Sequence, residues 1–428
     1  MNISILNLFK TSTLRKGGFT ANVLTLMTGT TLSQVLGIVI APVLTRLYSP
    51  EDFGILALFI AISNIFVIMA SWRYEMAIML PHDHEDAAAV FSLSAFIVIF
   101  MSFLFLVMVA LFRQSIAGLL KTPEITYWLW CTPVNIFLLG LVQIFNSWQS
   151  RMKNFSKLAA TRLMAALLSA GTSIGMGIWG HYGAMGLIAG QLAGSFFSAG
   201  ILGGQIFKKD SKFFGNSFSR KNIIHQARTY YRFPLIDSWA VVANYASQRV
   251  PILILNYFFN NVIVGLYFLG YRVLHLPLHF INRSLSEVFY QRYEEKRKSY
   301  GKKDFLKRII KILTVVSFFP AVLLFVFAPL MFKIFFGAEW EVAGEYARIL
   351  TPLLFFRFIS SPVSSVLWSE GKNTLRLGWQ CLLLIVSSVA FLIGGLSGNI
   401  YIALIIFSIC GSLLYLLHII IVLRVSSY

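Results

Sequence analysis

Four arginines, Arg249, Arg272, Arg283 and Arg357, stand inside long apolar runs of this 428-residue sequence. A guanidinium keeps its proton at physiological pH, so each brings a full charge into a low-dielectric setting. Placing one near the middle of a bilayer costs roughly 3 to over 10 kcal/mol, depending on how far water and snorkelling relieve it. The stretch Gly265–Arg292, GLYFLGYRVLHLPLHFINRSLSEVFYQR, is long enough to span a membrane and carries Arg272 well inside it. At 100° per residue, Gly265, His279 and Arg283 fall within about 20° of Arg272 around a helix, and His275 flanks that stripe. One side of the segment is therefore cationic and the rest apolar, as expected of a helix facing a wet cavity. The alternative, an arginine paired for packing, needs a carboxylate at the same depth. In the C-terminal half the in-span candidate is Asp237. Surplus arginines then call for an anion from outside the protein. The guanidinium fork matches phosphate with short bidentate hydrogen bonds, so the chemistry to expect is capture of a phosphate, a diphosphate or a carboxylate.

Further polar stripes accompany these arginines. Asp237, Asn244 and Gln248 share one helical face, with Arg249 beside it. Arg357 is followed at helical spacing by Ser361, Ser364 and Trp368. Thr30, Gln34 and Thr45 form a milder stripe, as do Asn135, Asn146 and Gln149. Each could line a cavity, or could supply interhelical hydrogen bonds of about 1 kcal/mol apiece that hold a bundle together. Asp237 is the candidate for proton or sodium coupling, because a charge crossing 100 mV gains about 2.3 kcal/mol; a salt-bridging role is the alternative. Pro42, Pro251, Pro277, Pro352 and Pro362 interrupt the apolar runs and suit helices that bend. The run His82-Asp83-His84-Glu85-Asp86 reads as loop charge rather than a metal site. Arg73-Tyr74-Glu75 is either a gate or a local ion pair. Cys131, Cys381 and Cys410 lie in apolar segments and read as small core residues. There is no Walker motif and no nucleophilic triad at an accessible loop, so neither catalytic residues nor an organic or metal cofactor is expected.

The elements that must position these groups are membrane helices. Hydrophobic residues make up 57% of the chain and charged residues 12%, which excludes an ordinary soluble domain. The net charge of +19 sits mostly in short loops, where it sets orientation and meets anionic headgroups rather than nucleic acid. We expect an all-α polytopic protein with twelve transmembrane helices, the first near 21–46 and the last near 400–424, arranged as two six-helix lobes around a central cavity. Most loop lysines and arginines then fall on the side of the chain ends, with Arg113, Lys121 and Lys333 opposite, which places both termini in the cytoplasm. Met1–Phe9 reads as a cytoplasmic leader too short to span. The expected units are an N-terminal lobe 1–206, a basic cytoplasmic linker 207–232 and a C-terminal lobe 233–428. Ser33-Gln34 with Phe53-Gly54-Ile55-Leu56 is echoed by Ser247-Gln248 with Val264-Gly265-Leu266-Tyr267. An even helix count per half makes such repeats parallel, a transporter architecture with substrate between the halves.

The run Leu44-Thr45-Arg46-Leu47-Tyr48-Ser49-Pro50-Glu51-Asp52-Phe53-Gly54 resembles the first signature of the bacterial polysaccharide transporter family. Arg73-Tyr74-Glu75 resembles its next landmark. Tyr271-Arg272-Val273-Leu274-His275-Leu276-Pro277-Leu278 and Glu287-Val288-Phe289-Tyr290-Gln291-Arg292 resemble its eighth span. These are Wzx-type flippases of the multidrug/oligosaccharidyl-lipid/polysaccharide (MOP) superfamily. The resemblance implies a bacterial inner-membrane protein that moves an undecaprenyl-diphosphate-linked oligosaccharide, such as an O-antigen unit, from the cytoplasmic to the outer leaflet. It implies that cavity arginines receive the diphosphate, a role carried to Arg272 and, by weaker match, to Arg249 and Arg357. His275 and His279 depart from the small hydroxyl residues of the family pattern, so the resemblance gives no detail of sugar recognition. Arg283, His279, Gln34, Asn244 and Gln248 complete the candidate site, with membrane lipids and polysaccharide-assembly proteins as further partners.

Two other classes are weighed. A drug exporter of the same superfamily predicts acidic rather than basic stripes. A membrane enzyme or scaffold of polysaccharide assembly predicts a sizeable outer loop or a docking use of loop 207–232, and no outer loop here is long.

Overall fold

The computed structural model describes residues 19–180, 182–215, 219–275, 293, 302–370 and 372–425, and these are helical nearly throughout. The long helices are α1 (Phe19–Leu47), α2 (Pro50–Ala70), α4 (His84–Leu119), α6 (Cys131–Arg151), α7 (Phe155–Gly180), α8 (Ala184–Lys209), α10 (Ser238–Phe258), α11 (261–275), α12 (Lys302–Phe336), α13 (Glu341–Val363), α15 (Asn373–Leu396) and α16 (Ile400–Val425). Short helices α3 (Tyr74–Ala77), α5 (Ile125–Leu129), α9 (Arg220–Thr229) and α14 (Ser365–Ser369) join them. Among the described residues, ten segments are long and apolar enough to cross a membrane. The remaining two expected spans fall on α10, where Asn244, Gln248 and Arg249 dilute the apolar content, and on α11, which is described only to residue 275.

The connections alternate between two sides. One side carries the start of α1, the end of α16 and the basic segments. The far side carries the tight turns at 48–49, 182–183, 259–260 and 397–399. The turn into α2 shows how local chemistry sets these corners. Ser49 and Asp52 form a reciprocal capping box, the Asp52 backbone N–H donating to Ser49 Oγ at 3.3 Å and the Ser49 N–H to Asp52 Oδ2 at 3.0 Å, with Pro50 at the first helical position. Tyr48 donates to the Ser173 carbonyl on α7 at 2.6 Å and locks the corner to the bundle.

The helices pack in two sets. Helices α1, α2, α4, α6, α7 and α8 contact one another, as do α10, α12, α13, α15 and α16. Between the sets, α2 packs on α10 and α1 touches α12. Far-side ends seal this junction. A Cβ added at Gly54 would lie 1.9 Å from the Asn261 carbonyl oxygen, and one at Gly265 1.8 Å from that of Pro50, so backbone meets backbone there. Trp340, fully buried, donates its indole N–H to the Thr45 carbonyl at 3.1 Å and sits edge-on to Phe53, ring centres 5.0 Å apart. Asn256 donates to Leu120 O at 2.6 Å and to Thr122 Oγ1 at 3.0 Å.

The outer surface is apolar, as a lipid-facing wall requires. Phe100 and Phe103 on α4, and Phe318 and Phe319 on α12, are exposed. Tyr127 and Trp179 stand exposed at the far-side ends, where an interfacial aromatic belt is expected. On the side of the chain ends, segment 207–232 contains the short helix α9. Helix α9 is held to the first set by Asn222, which donates to Asp86 Oδ1 at 3.1 Å, and by Tyr74, whose hydroxyl donates to the Ala227 carbonyl at 3.0 Å. Burial raises the Tyr74 phenol above its ordinary value, which keeps it a donor.

Candidate functional site

A cavity of about 620 Å³ lies between the two sets, walled by α1, α2, α6, α7 and α8 on one side and by α10 and α11 on the other. Helix α11 supplies its charged wall. Tyr267, Phe268, Tyr271, Arg272 and His275 recur at spacings of three and four, so they leave the same face of the helix. Tyr267 and Tyr271 stack with ring centres 5.7 Å apart, and Tyr271 and His275 lie at 4.4 Å, a continuous ladder of rings. Arg272 stands beside this ladder, its guanidinium carbon 5.8 Å from the centre of Phe268. Its side chain is accessible to water although it projects between the helix sets. A Cβ added at Gly37 on α1 would lie 3.8 Å from Arg272 Nη2, so the arginine reaches the opposite wall.

Helix α10 contributes Gln248 and Arg249 to the same space. Gln248 donates to Asn244 Oδ1 at 2.9 Å, which fixes its amide along the helix. The Nε of Arg249 is buried without a hydrogen-bond partner. Arg249 lies within electrostatic reach of Tyr245, Tyr267 and Tyr271, and Arg272 within reach of Arg249. Among the described residues no carboxylate pairs with either arginine; the ion pairs found, Arg73–Glu75 at 3.4 Å and Lys333–Glu341 at 2.8 Å, are elsewhere. Two like charges beside one water-accessible cavity repel each other and lose solvation, and an anion entering the cavity relieves both costs.

The sequence-derived candidates separate on this frame. Gln34, Gln248, Arg249 and Arg272 line the cavity together. Asn244 stands one turn away as the acceptor for Gln248. Arg357 is not on the cavity surface; it lies behind Tyr271, donating through Nη1 to the tyrosine oxygen at 3.1 Å. The side chain of Asp237, and His279 and Arg283, lie outside the described residues. Of the stripe Asn135, Asn146 and Gln149, none lines this cavity: Asn135 and Gln149 are fully buried, Gln149 accepts from Asn154 at 2.7 Å, and the side-chain oxygens of Asn135 and Asn146 are buried without a hydrogen-bond partner. Arg73 and Glu75 form a local ion pair. No cluster of His, Cys, Asp or Glu suited to a metal occurs among the described residues.

Sequence reasoning passed over the opposite wall. Gly186, Gly190 and Gly194 on α8 recur every four residues, and a Cβ at Gly190 would meet Ser173 Oγ at 2.0 Å and the Ser169 carbonyl at 2.6 Å. This close helix crossing brings Ser169, Gln191, Ser195 and Ser198 to the cavity. The small-residue repeat was the signal available for it.

Known structures share this arrangement of two helix sets around a cavity. The chain is similar to lipid II flippase MurJ in an inward closed conformation, at 17% identity with a TM-score of 0.71, covering 94% of this chain and 87% of that one. It is also similar to an inward-facing multidrug resistance transporter of the MATE family, at 15% identity with a TM-score of 0.67, covering 94% and 96%. Among curated proteins it is similar to the succinoglycan biosynthesis transport protein ExoT of Rhizobium meliloti (strain 1021), at 22% identity over 383 residues, or 86% of this chain and 73% of that protein. The family model described as polysaccharide biosynthesis protein matches residues 43–345, and the chain belongs to that family. It is a multi-pass membrane protein of that family, and the relatives it resembles are described as transporters and a flippase.

Proposed function

We propose that the protein is a flippase for a polyprenyl-diphosphate-linked oligosaccharide, moving it between leaflets by alternating access. The observation that carries this reading is the pair Arg249 and Arg272, exposed to one cavity between the helix sets with no carboxylate partner among the described residues. Each guanidinium can hold a phosphate through two parallel hydrogen bonds, and a diphosphate offers one phosphate to each of the two arginines. The glycan occupies the hydrated cavity and the prenyl tail stays in lipid. The cation-drug reading is disfavoured because such a substrate would meet net positive walls.

On this reading the chain crosses the bacterial inner membrane twelve times as two six-helix lobes, 1–206 and 233–428, with both termini cytoplasmic. The far-side seal at Gly54, Gly265 and Trp340 then faces outward, and the cavity is in its inward-accessible state. A proton or sodium gradient acting through Asp237 is the proposed energy source. ExoT's description as a succinoglycan transport protein supports a polysaccharide precursor as cargo, and the MurJ fold supports a lipid-linked one.

Replacement of Arg272 tests the reading. Cells producing Arg272→Ala at wild-type membrane abundance should lose surface polysaccharide and accumulate the lipid-linked unit, with Arg272→Lys recovering only part, since ammonium lacks the bidentate fork. Wild-type display in both variants removes Arg272 from the mechanism.

A further inference from the structure

The cavity has two chemically different walls. The α10–α11 wall carries the cations and the rings. Where α1, α7 and α8 line the cavity they present no charged side chain and concentrate hydroxyls and amides: Gln34, Ser169, Gln191, Ser195 and Ser198. Arg162, one turn before Ala165 and Ala166 on α7, is engaged with Thr30 Oγ1 of α1 at 2.7 Å. Ser195 spends its proton on the Gln191 carbonyl at 3.0 Å, leaving lone pairs for an incoming donor. Among the described residues, the side chains of Ser169, Gln191 and Ser198 make no hydrogen bond. The Oε1 of Gln34 is buried without a partner. The Gln34 oxygen is the buried orphan of the four, a rare state for a buried polar atom. Ser169, Gln191 and Ser198 are partly exposed to the cavity, so their polar atoms are free to exchange water for a ligand. The glycine crossing of α8 on α7 sets them there, so a packing role for their polar atoms does not explain the placement.

We propose that this wall is the sugar-recognition subsite, and that Gln34, Ser169, Gln191 and Ser198 set which glycan headgroup is accepted. The proposal rests on the flippase reading and assigns the glycan end of the substrate. An uncharged surface that both donates and accepts suits a polyol. Glutamine supplies two donors and an acceptor at one tip, and serine one donor and two lone pairs, which matches vicinal hydroxyls. Arg272 reaches toward Gly37 of the same wall. A diphosphate held by Arg272 therefore places the sugar attached to it against α1, α7 and α8, while Tyr271 and Phe268 flank the phosphate end.

The test compares two probes on the full chain purified in detergent: farnesyl diphosphate, which carries no sugar, and farnesyl diphosphate bearing glucose, galactose or N-acetylglucosamine. Wild type should bind one glycosylated probe at least about tenfold more tightly than the bare diphosphate, the gain expected of one or two net hydrogen bonds. Gln191→Ala and the double variant Ser169→Ala/Ser198→Ala should lose that advantage while keeping farnesyl diphosphate affinity within about twofold, because the arginine wall is untouched. Gln191→Glu, which keeps size and tests charge, should also lose it. If no sugar in the panel improves on the bare diphosphate in wild type, or if the wall variants keep the advantage, the subsite assignment is overturned while retained diphosphate binding leaves the flippase reading standing. If wild type binds neither probe, both fall together.

Discussion

Arg357 and Tyr271 show how one pair of residues supports the site from behind. Arg357 donates to the tyrosine oxygen at 3.1 Å, and Tyr271 stacks between Tyr267 and His275. Replacing Tyr271 by Phe keeps the ring ladder and strips the acceptor from a guanidinium. Losing a hydrogen bond to a charged group costs about 1.5–3 kcal/mol, so Tyr271→Phe should lower the melting temperature of the purified protein in detergent by several degrees, read by differential scanning fluorimetry. An unchanged melting curve would mean that Arg357 is already served by another acceptor. This arrangement bears on what the sequence could reveal at this scale. The charge of Arg272 was legible because arginine in an apolar run is rare and expensive. That Arg357 lies one layer back was not, because helical phase gives a face but not the neighbour standing in front of it. The signature Leu44–Gly54 was equally visible. It serves a corner: Tyr48 anchors to α7, Ser49 and Asp52 cap α2, Phe53 meets Trp340, and Gly54 meets Asn261. Those are structural duties, whatever else the motif marks.

At the scale of elements, the crossing of α8 on α7 decides whether the uncharged wall exists. Gly190 has no room for a methyl group against Ser173 and Ser169, whereas Gly200 and Gly204 on the same helix meet nothing within 4 Å. Gly190→Ala should therefore destabilise the protein, by overpacking that costs about 1–3 kcal/mol. Gly204→Ala should be neutral or stabilising by up to about 1 kcal/mol, because alanine is the better helix former. Thermal melts of the two variants check the pair, and equal effects would refute the close-crossing argument. Helix existence was legible from apolar length, and ten spans among the described residues follow that expectation. The expected spans on α10 and α11 are not among those ten: Asn244, Gln248 and Arg249 dilute the apolar content of α10, and α11 is described only to residue 275. Within single spans the helix is interrupted locally: α5 and α6 together make the span Ile125–Arg151, and α13 and α14 share the span Ala338–Leu367 with a break at Ser364 after Pro362. Segment 207–232, read as a linker by its charge, contains α9, whose buried Gln226 and tethers to Tyr74 and Asp86 come from tertiary packing that composition does not encode.

For the whole molecule, the proposed flippase makes the far-side seal and the cavity two parts of one device. Alternating access requires that the Gly54–Gly265 crossing open when the opposite side closes. The echo of Phe53-Gly54-Ile55-Leu56 in Val264-Gly265-Leu266-Tyr267 was visible in the sequence, and the structure places both glycines at the same junction between the helix sets. A leucine at position 54 cannot be accommodated against the Asn261 carbonyl without separating α2 from α11. With native cysteines replaced, spin labels at exposed Tyr127 and Leu396 should report a longer far-side distance in Gly54→Leu than in the parent. Unchanged distances would place the hinge elsewhere.

The central claim, that paired guanidinium groups in the cleft receive a phosphorylated lipid head, is tested most directly by comparing undecaprenyl diphosphate with undecaprenol. Both share the prenyl tail, so any difference in equilibrium binding to the purified protein belongs to the diphosphate. Wild type should prefer the diphosphate by at least about a hundredfold at low salt, and Arg249→Ala/Arg272→Ala should bind the two alike. Equal binding of both lipids by wild type, or a preference that survives loss of both arginines, would contradict the account.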